Sequence, residues 1–586
     1  MTEGHDTART LDPTLWAGGA AGVLGTIYFV LAANGYGIAS PSGLVWPASV
    51  ALILMAIIGA AFGGAPRSAA KWFYLLAGGV FVGALVVLNL LPPVARDELT
   101  HHLALPELFL TRGRADVFPF AEQSYFPMQV SVLYTPLLAR GWEIAPKYLH
   151  MLFGLASVGV LHLYLSSRVS AGVAGFVALL LLTTPTFANL ASSAYVDLGL
   201  FFFTTVSVVA LLRWSANEST GLLALSGFAA GCAASVKYNG YLTLPVLLFG
   251  TLALAPRRTP GSVIRNLALF GCMALLPLAP WLVRNFLETG NPVFPLMRGT
   301  LGGPPRAASP AIDIFTRRMF LYDESWLEIL TTPFRAFVVG RYGDPARFDG
   351  SFNPLFLLGF AGIAVGRRSV HGDYLWVTSL IVLVAVFFLT TFRSRYAIAS
   401  LVPLSILVAE LLERWRITAP RAARALLPAL AAAALAFNVG HFVDYWTQLS
   451  PTAYLAGRES RTDFISRFVP EYPLAAFANA ELSKDAKVYL AFLGQRGYYW
   501  RLPYTYDYYY SGTSLRDAVR GAESAEGVMT DLRQQGISHI AASAPHLGRF
   551  LQEDLTEGEL RRWESFAAHH LRLIRSHGTF GLYEII

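Results

Sequence analysis

The chain reads as an all-α polytopic membrane bundle of about thirteen spanning helices followed by a small soluble α/β domain. Of its 586 residues, 54% are hydrophobic and only 14% charged, against roughly 25% charge in a soluble domain. Mean hydropathy is +0.47. Apolar windows approaching the ~20 residues needed to cross a bilayer recur along most of the chain. They stop near residue 445, where the composition turns polar and mixed in charge.

The windows fall at 15–33, 43–60, 72–91, 148–165, 171–184, 198–212, 222–235, 241–254, 267–282, 354–365, 374–389, 396–411 and 425–445. The polar stretch before the first lacks a basic segment with a small-residue cleavage site, so no cleavable signal peptide is expected. Short loops carrying Arg67 and Lys71, Arg168, Arg213, Arg257, Arg258 and Arg265, Arg367 and Arg368, and Arg414, Arg416, Arg421 and Arg424 alternate strictly with the rest. Their basic excess marks them as cytoplasmic. The N-terminus is then expected inside a bacterial-type cytoplasmic (inner) membrane and the C-terminal domain outside it, in the periplasm. The same loops account for the net charge of +7, which therefore does not argue for nucleic acid. Cys232 and Cys272 lie in apolar runs and read as small core residues, not as a disulfide framework or a zinc site.

The bundle is expected over residues 1–446, with long outward loops at 92–147 and 285–353, and the soluble domain over 447–586. In that domain AKVYLAFL around Val488, SHIAAS around Ile540 and GTFGLYEII at the end read as strands. MTDLRQQG reads as a helix ended by Gly536. Alternation of the two suggests an α/β arrangement. No internal repeat is evident.

Asp97 and Glu98 follow the window 72–91 within a few residues and begin RDELTHHLALPELFLTRG. Adjacent carboxylates beside lipid are costly unless they have a task. Leu103, Leu105, Leu108 and Phe109 recur at roughly helical spacing, as in a helix lying in the interface plane. An acidic pair between a spanning helix and an interfacial one is where an enzyme acting on a lipid-linked substrate would place its base. On a helix, His101 lies four residues after Asp97 and His102 four after Glu98, each sharing a face with one carboxylate. That spacing suits contact with a substrate, a divalent-metal site or plain interfacial histidines. Substrate contact is the reading adopted, with no metal or other cofactor expected.

Asp197, in AYVDLGLFFF, begins a helix, where the macrodipole stabilises a carboxylate. Lys237, in GCAASVKYNGYL, sits at a break marked by Asn239-Gly240. Arg284, in PWLVRNFLETGNPVFPL, and Arg393 and Arg395, in TTFRSRYAIASLVP, are further cations at outward helix ends. Any one of them could simply snorkel to the interface. Together, on the same face as three carboxylates, they suit a phosphate leaving group next to a base. Tyr238 and Tyr396 join them as candidate substrate contacts. The run YYWRLPYTYDYYY, from Tyr498, could stack on sugar faces, but packing of the C-terminal domain is its expected role.

The order of these motifs resembles the GT-C superfamily of integral-membrane glycosyltransferases. Within it, the likeness is to the branch of protein O-mannosyltransferases and the bacterial aminoarabinose transferases that modify lipid A. It rests on RDELTHHLALPELFL, on the aspartate of AYVDLGL, and on GCAASVKYNGYL, similar to a Ser-Val-Lys-aromatic segment of the O-mannosyltransferases. PWLVRNFLETGNPVFPL and FRSRYAIASLVPL resemble stretches of bacterial members, although in the second the proline falls at Pro403. The chain differs from many members in placing two additional apolar spans before the acidic loop.

The resemblance implies transfer of a sugar, outside the cytoplasmic membrane, from a polyprenyl-phosphate donor to a hydroxyl of a lipid, glycan or protein. Asp97 would be the base, and Glu98 and Asp197 would hold the acceptor or orient that base. Lys237 and one of Arg393 or Arg395 would neutralise the departing phosphate, with Arg284 a further phosphate contact. Inversion at the anomeric carbon is expected of a single displacement. The competing readings are a transporter or flippase of a lipid-linked sugar, and a polyprenyl-dependent glycan polymerase or ligase. Charges at outward helix ends, away from the midplane, favour chemistry over transport.

Overall fold

Each of the thirteen apolar windows falls on a helical segment in the computed structural model, which describes residues 2–63, 69–256, 258–304, 314–365, 369–390, 392–508 and 511–586. Arg67, Arg257, Arg367 and Arg368 of the basic loops, and Tyr509 and Tyr510 of the aromatic run, lie outside these residues. Among the described residues nine helices are long and apolar enough to span: Thr10–Ala33, Pro41–Phe62, Lys71–Asn89, Ala145–Ser166, Asp197–Asn217, Pro260–Thr289, Val370–Leu389, Ser394–Thr418 and Arg421–Leu449. Ala171–Thr183 and Pro185–Ala191, bent by 62°, make a tenth if taken as one span. The expected count of thirteen is thus lowered, because Thr220–Val236, Leu244–Ala253 and Leu358–Val365 fall short of the ~20 residues a span needs. The causes are local. Pro185 cannot donate to the turn before it, Asn239-Gly240 interrupts the second pair, and Asn353 caps a separate turn, Pro354–Leu357, ahead of the last.

The chain divides into two compact units. One comprises Met1–Leu91, Pro127–Phe286 and Ile312–Pro451; the other comprises Pro92–Phe126, Leu287–Ala311 and Thr452–Ile586. The loops expected at 92–147 and 285–353 are therefore each split. Gln129–Leu138, for example, is buried at all ten positions, and Gln129 donates to the Gly22 carbonyl at 2.9 Å.

Contacts within the first unit define its two ends. At one, Arg213 forks onto Asp12 at 3.0 and 3.1 Å, Ser170 donates to Glu413 at 2.6 Å, and Arg168 lies over the Tyr164 ring. At the other, Asn89 donates to the Ala191 carbonyl and Lys147 to the Leu91 carbonyl, both at 3.0 Å. The Ser192 and Tyr445 hydroxyls meet there at 2.8 Å. Asp197–Asn217 and Thr220–Val236 run antiparallel as close neighbours, joined by a left-handed turn at Glu218 and by reciprocal Ser207–Ser226 bonds of 2.8 and 2.9 Å. On the other face of the shorter helix, a Cβ at Gly227 or Gly231 would collide with the Phe270 or Ala274 carbonyl. This is the small-xxx-small approach that lets membrane helices pack backbone to backbone.

The second unit contains a mixed sheet of β1 (Val488–Ala491), β2 (Tyr504–Thr505), β3 (His539–Ser543), β4 (Leu571–His577) and β5 (Phe580–Ile585) in the order β2-β1-β3-β5-β4. β1 is parallel to β2 and β3, and the remaining pairs are antiparallel. Leu515, Val528, Leu532, Ile540, Trp563 and Phe566 form its core. The three expected strands are present, as is the helix Ala525–Gln534, which stops before Gly536 in the left-handed region. β2 and β4 are additions; β4 is largely exposed along its length, so no apolar alternation announces it.

Candidate functional site

In the first unit, Asp197 is the first residue of its helix and only 1% exposed, and its carboxylate is paired with Lys237 Nζ. Lys237 leaves the end of Thr220–Val236 in extended backbone. The two helices therefore present a carboxylate at an N-terminus and an ammonium at a C-terminus, each favoured by its own dipole. Gly240 lets the chain turn tightly here, since a Cβ would strike the Ala233 carbonyl. Lys237 Nζ lies 4.6 Å over the Tyr396 ring. The buried Arg395 guanidinium sits between the Tyr195 ring at 4.6 Å and the Tyr396 ring at 4.9 Å, and donates to the Tyr396 hydroxyl at 3.3 Å. Aromatic faces thus help to hold these cations away from water. Arg284 lies over Trp281 and Phe29 at 4.9 and 5.6 Å, and its neighbour Asn285 donates to the Tyr238 hydroxyl at 3.2 Å. Arg393 pairs instead with Asp349 at 3.6 Å.

The bundle thus assembles Asp197, Lys237, Tyr238, Arg284, Arg395 and Tyr396 at one end, with Arg393 turned to Asp349. Three contributors were missed in the sequence: Tyr195, Asn285 and His150. His150 Nδ1 lies 2.8 Å from the Ser193 carbonyl and 3.0 Å from that of Leu190, while its Nε2 accepts from Leu198 N at 2.9 Å. These bonds require the Nδ1–H tautomer and pin the turn that carries Asp197. Tyr195 and Asn285 adjoin motif residues; His150 had no signal beyond being a histidine in an apolar run.

In the second unit, Asp97 precedes a π-helical turn, Glu98–His102, in which Leu103 N donates to the Glu98 carbonyl at 2.9 Å. The turn therefore closes at i+5, where the expected helix would close at i+4. His101 bonds its neighbour Thr100 at 2.8 Å, and the two imidazoles lie 4.0 Å apart, centre to centre. Glu98 is 1% exposed, and its Oε2 accepts from Ala95 N at 2.9 Å, so its carboxylate braces the turn from inside. Asp97 stays half-exposed. Leu103, Leu105 and Phe109 of the following segment, Ala104–Arg112, are fully buried in protein. Leu108, the fourth apolar position of the expected interfacial face, is half-buried. Tyr498, Tyr499, Trp500, Tyr504 and Tyr506 are buried too, so the described part of the aromatic run packs. No group of three or more His, Cys, Asp or Glu side chains suited to a metal ion occurs among the described residues.

Residues 126–287 match the family described as dolichyl-phosphate-mannose-protein mannosyltransferase. The match includes Asp197, Lys237, Tyr238 and Arg284. No protein of curated function matches the sequence. Among solved structures the chain is similar to ArnT from Cupriavidus metallidurans in the apo state, at 16% identity and a TM-score of 0.52 over 88% of this chain and 98% of that one. The same protein bound to undecaprenyl phosphate gives a TM-score of 0.49 at the same identity and coverage. The archaeal oligosaccharyltransferase AglB from Archaeoglobus fulgidus, in complex with an inhibitory peptide and a dolichol-phosphate, gives 0.45 at 13% identity over 88% of this chain and 74% of that one. At such identities the likeness speaks to the fold, a multi-span helical bundle with a mixed-sheet domain.

Removing one partner of a buried ion pair leaves an uncompensated charge, at a cost of about 3–5 kcal/mol. Lys237→Met and Asp197→Leu are each expected to lower the unfolding midpoint in detergent, and the double variant to recover most of the loss. Thermal unfolding of the four proteins checks this. A double variant as unstable as the sum of the singles would show that the two residues act independently.

Proposed function

We propose that the chain is an integral-membrane glycosyltransferase of the GT-C kind, in keeping with the family match over residues 126–287, and that it moves a sugar from a lipid-phosphate donor onto a hydroxyl acceptor in a lipid, glycan or protein by a single inverting displacement. The observation that carries this reading is the Asp197–Lys237–Tyr396–Arg395 cluster. Ionisable groups within spanning segments are expensive and mark working sites. Here a carboxylate, an ammonium and a guanidinium are kept at a helix end under aromatic rings. A leaving phosphate monoester of a polyprenol develops charge as its bond to the anomeric carbon breaks. Fixed donors aimed at that charge lower the barrier, each worth roughly 3–4 kcal/mol on the scale of oxyanion-hole deletions.

In the proposed reaction the acceptor oxygen bonds to the anomeric carbon while the carbon–oxygen bond to phosphate breaks. The hydroxyl proton passes to Asp97, and the polyprenyl phosphate leaves with the bonding pair. Lys237 and Arg395 hold its phosphate, with Arg284 beside them and Arg393 a more distant contributor. Asp197 keeps Lys237 charged and oriented. Glu98, already holding Ala95 N, fixes the turn that presents Asp97. His101, His102, Tyr238 and Tyr396 supply polar and aromatic contacts to the sugar or phosphate. Three observations support Asp97 over Glu98 as the base: Asp97's partial exposure, Glu98's burial, and the brace from Glu98 to Ala95.

A missing general base costs about 10²–10⁴-fold. Asp97→Asn is therefore expected to lose at least about a hundredfold in turnover while donor affinity and expression stay near wild type. Retention of more than about a tenth of the activity would remove Asp97 from the role. We further propose that the cluster faces away from the cytoplasm, since the loops bearing Arg168 and Arg213 lie at the opposite end of the bundle. A reporter fused after Tyr445 is expected to be active only outside the cytoplasm, and one near Arg258 only inside. Both reporters on one side would reverse this assignment.

A further inference from the structure

A π turn has poorer hydrogen-bond geometry than an α-helix and persists only where its surroundings hold it. Between Asp97 and Leu103 that support is visible. Because Leu103 N is given to the Glu98 carbonyl, the Leu99 carbonyl loses its α-helical partner and accepts instead from Tyr498 N, at 3.1 Å. The next residue, Tyr499, donates its buried hydroxyl to the Pro93 carbonyl at 2.6 Å. Two residues further, Arg501 pairs with Glu107 at 2.7 Å. Three positions of one loop therefore grip the acidic segment before, within and after its irregular turn. Phe120, later in the same segment, meets the Tyr504 and Tyr506 rings edge-on at 5.9 and 5.1 Å.

The gripping loop is itself fixed from the opposite side. Asn479 donates to the Tyr499 carbonyl and accepts from Arg501 N, both at 2.9 Å, and the Tyr472 ring packs against Tyr499 at 4.9 Å.

We propose that the C-terminal domain is a positioning clamp for the Asp97-Glu98 turn, acting through Tyr498, Tyr499 and Arg501. It is not a separate binding module. The proposal rests on the assignment of Asp97 as the base. It predicts that loosening the clamp leaves the donor site intact and misplaces the carboxylate, and a displacement of about 1 Å can cost on the order of 10²-fold in rate.

The test uses the full-length protein and two variants remote from the reacting atoms, Tyr499→Phe and Asn479→Leu, with Asp97→Asn alongside. Hydrogen exchange at the amides of residues 99–103 is expected to accelerate in both clamp variants. Their kcat is expected to fall about 10- to 100-fold, with donor Kd within about twofold of wild type. Arg501→Glu is expected to lose activity, and adding Glu107→Arg to restore it. Wild-type exchange in Tyr499→Phe, which deletes a single hydroxyl, would overturn the clamp. Faster exchange with unchanged kcat would overturn its role in positioning. Full activity in Asp97→Asn would sink the base assignment, while the exchange data would still report on the clamp.

Discussion

Keeping the Asp197 carboxylate almost wholly out of water is the constraint around which the working end of the bundle is arranged. A buried carboxylate needs a cation, and Lys237 can reach it only if the end of one helix meets the start of its antiparallel neighbour. That meeting requires the turn at Glu218 and the close Ser207–Ser226 contact. It also requires a packing partner for the shorter helix, which Gly227 and Gly231 admit against the Phe270–Ala274 stretch. The same partner helix brings Trp281, Arg284 and Asn285 to this end, and Asn285 binds Tyr238. Tyr396 and Arg395 then stack beside Lys237. Each contact follows from satisfying charge in a medium that does not solvate it.

The candidate residues fall in two compact units. The bundle carries the cations and one carboxylate, set in helix ends whose backbone bonds are satisfied. The second unit carries the acidic pair in an irregular turn, and irregular backbone there is stabilised by a loop from a sequence position some four hundred residues away, as the bond from Tyr499 to Pro93 records. Regular elements hold charges that must stay put. A locally unusual turn carries Asp97, the proposed base.

Much of this was legible in the sequence because apolar windows, helix-end charges and turn dipeptides report local physics. All thirteen windows are helical, and Asp197, Lys237, Tyr238, Arg395, Tyr396 and Arg284 do gather at one end of the bundle. What failed depends on local breaks in helices or on distant partners. The windows at 171–184, 222–235, 241–254 and 354–365 looked like separate spans because hydropathy does not measure helix length across a proline or an Asn-Gly break. The segment after Glu98 reads as amphipathic, and its Leu103, Leu105 and Phe109 are buried by protein while Leu108 is half-buried. Gln129–Leu138 fell within the loop expected at 92–147, but Gln129 and Tyr134 spend their polarity on the Gly22 and Tyr195 carbonyls. The helix Glu557–His570 went unnoticed although Thr556 and Glu559 form a capping box that the sequence displays.

The account stands on sugar transfer from a lipid phosphate, and the most direct measurement follows both halves of that reaction at once. Purified protein in liposomes would be given a labelled polyprenyl-phosphate sugar and a hydroxyl acceptor, and free polyprenyl phosphate and glycosylated product would be counted together. The account predicts equal amounts of the two, formed only when acceptor is present, with the anomeric configuration of the product inverted. Donor that crosses the bilayer intact, with no polyprenyl phosphate released, would contradict it and favour transport.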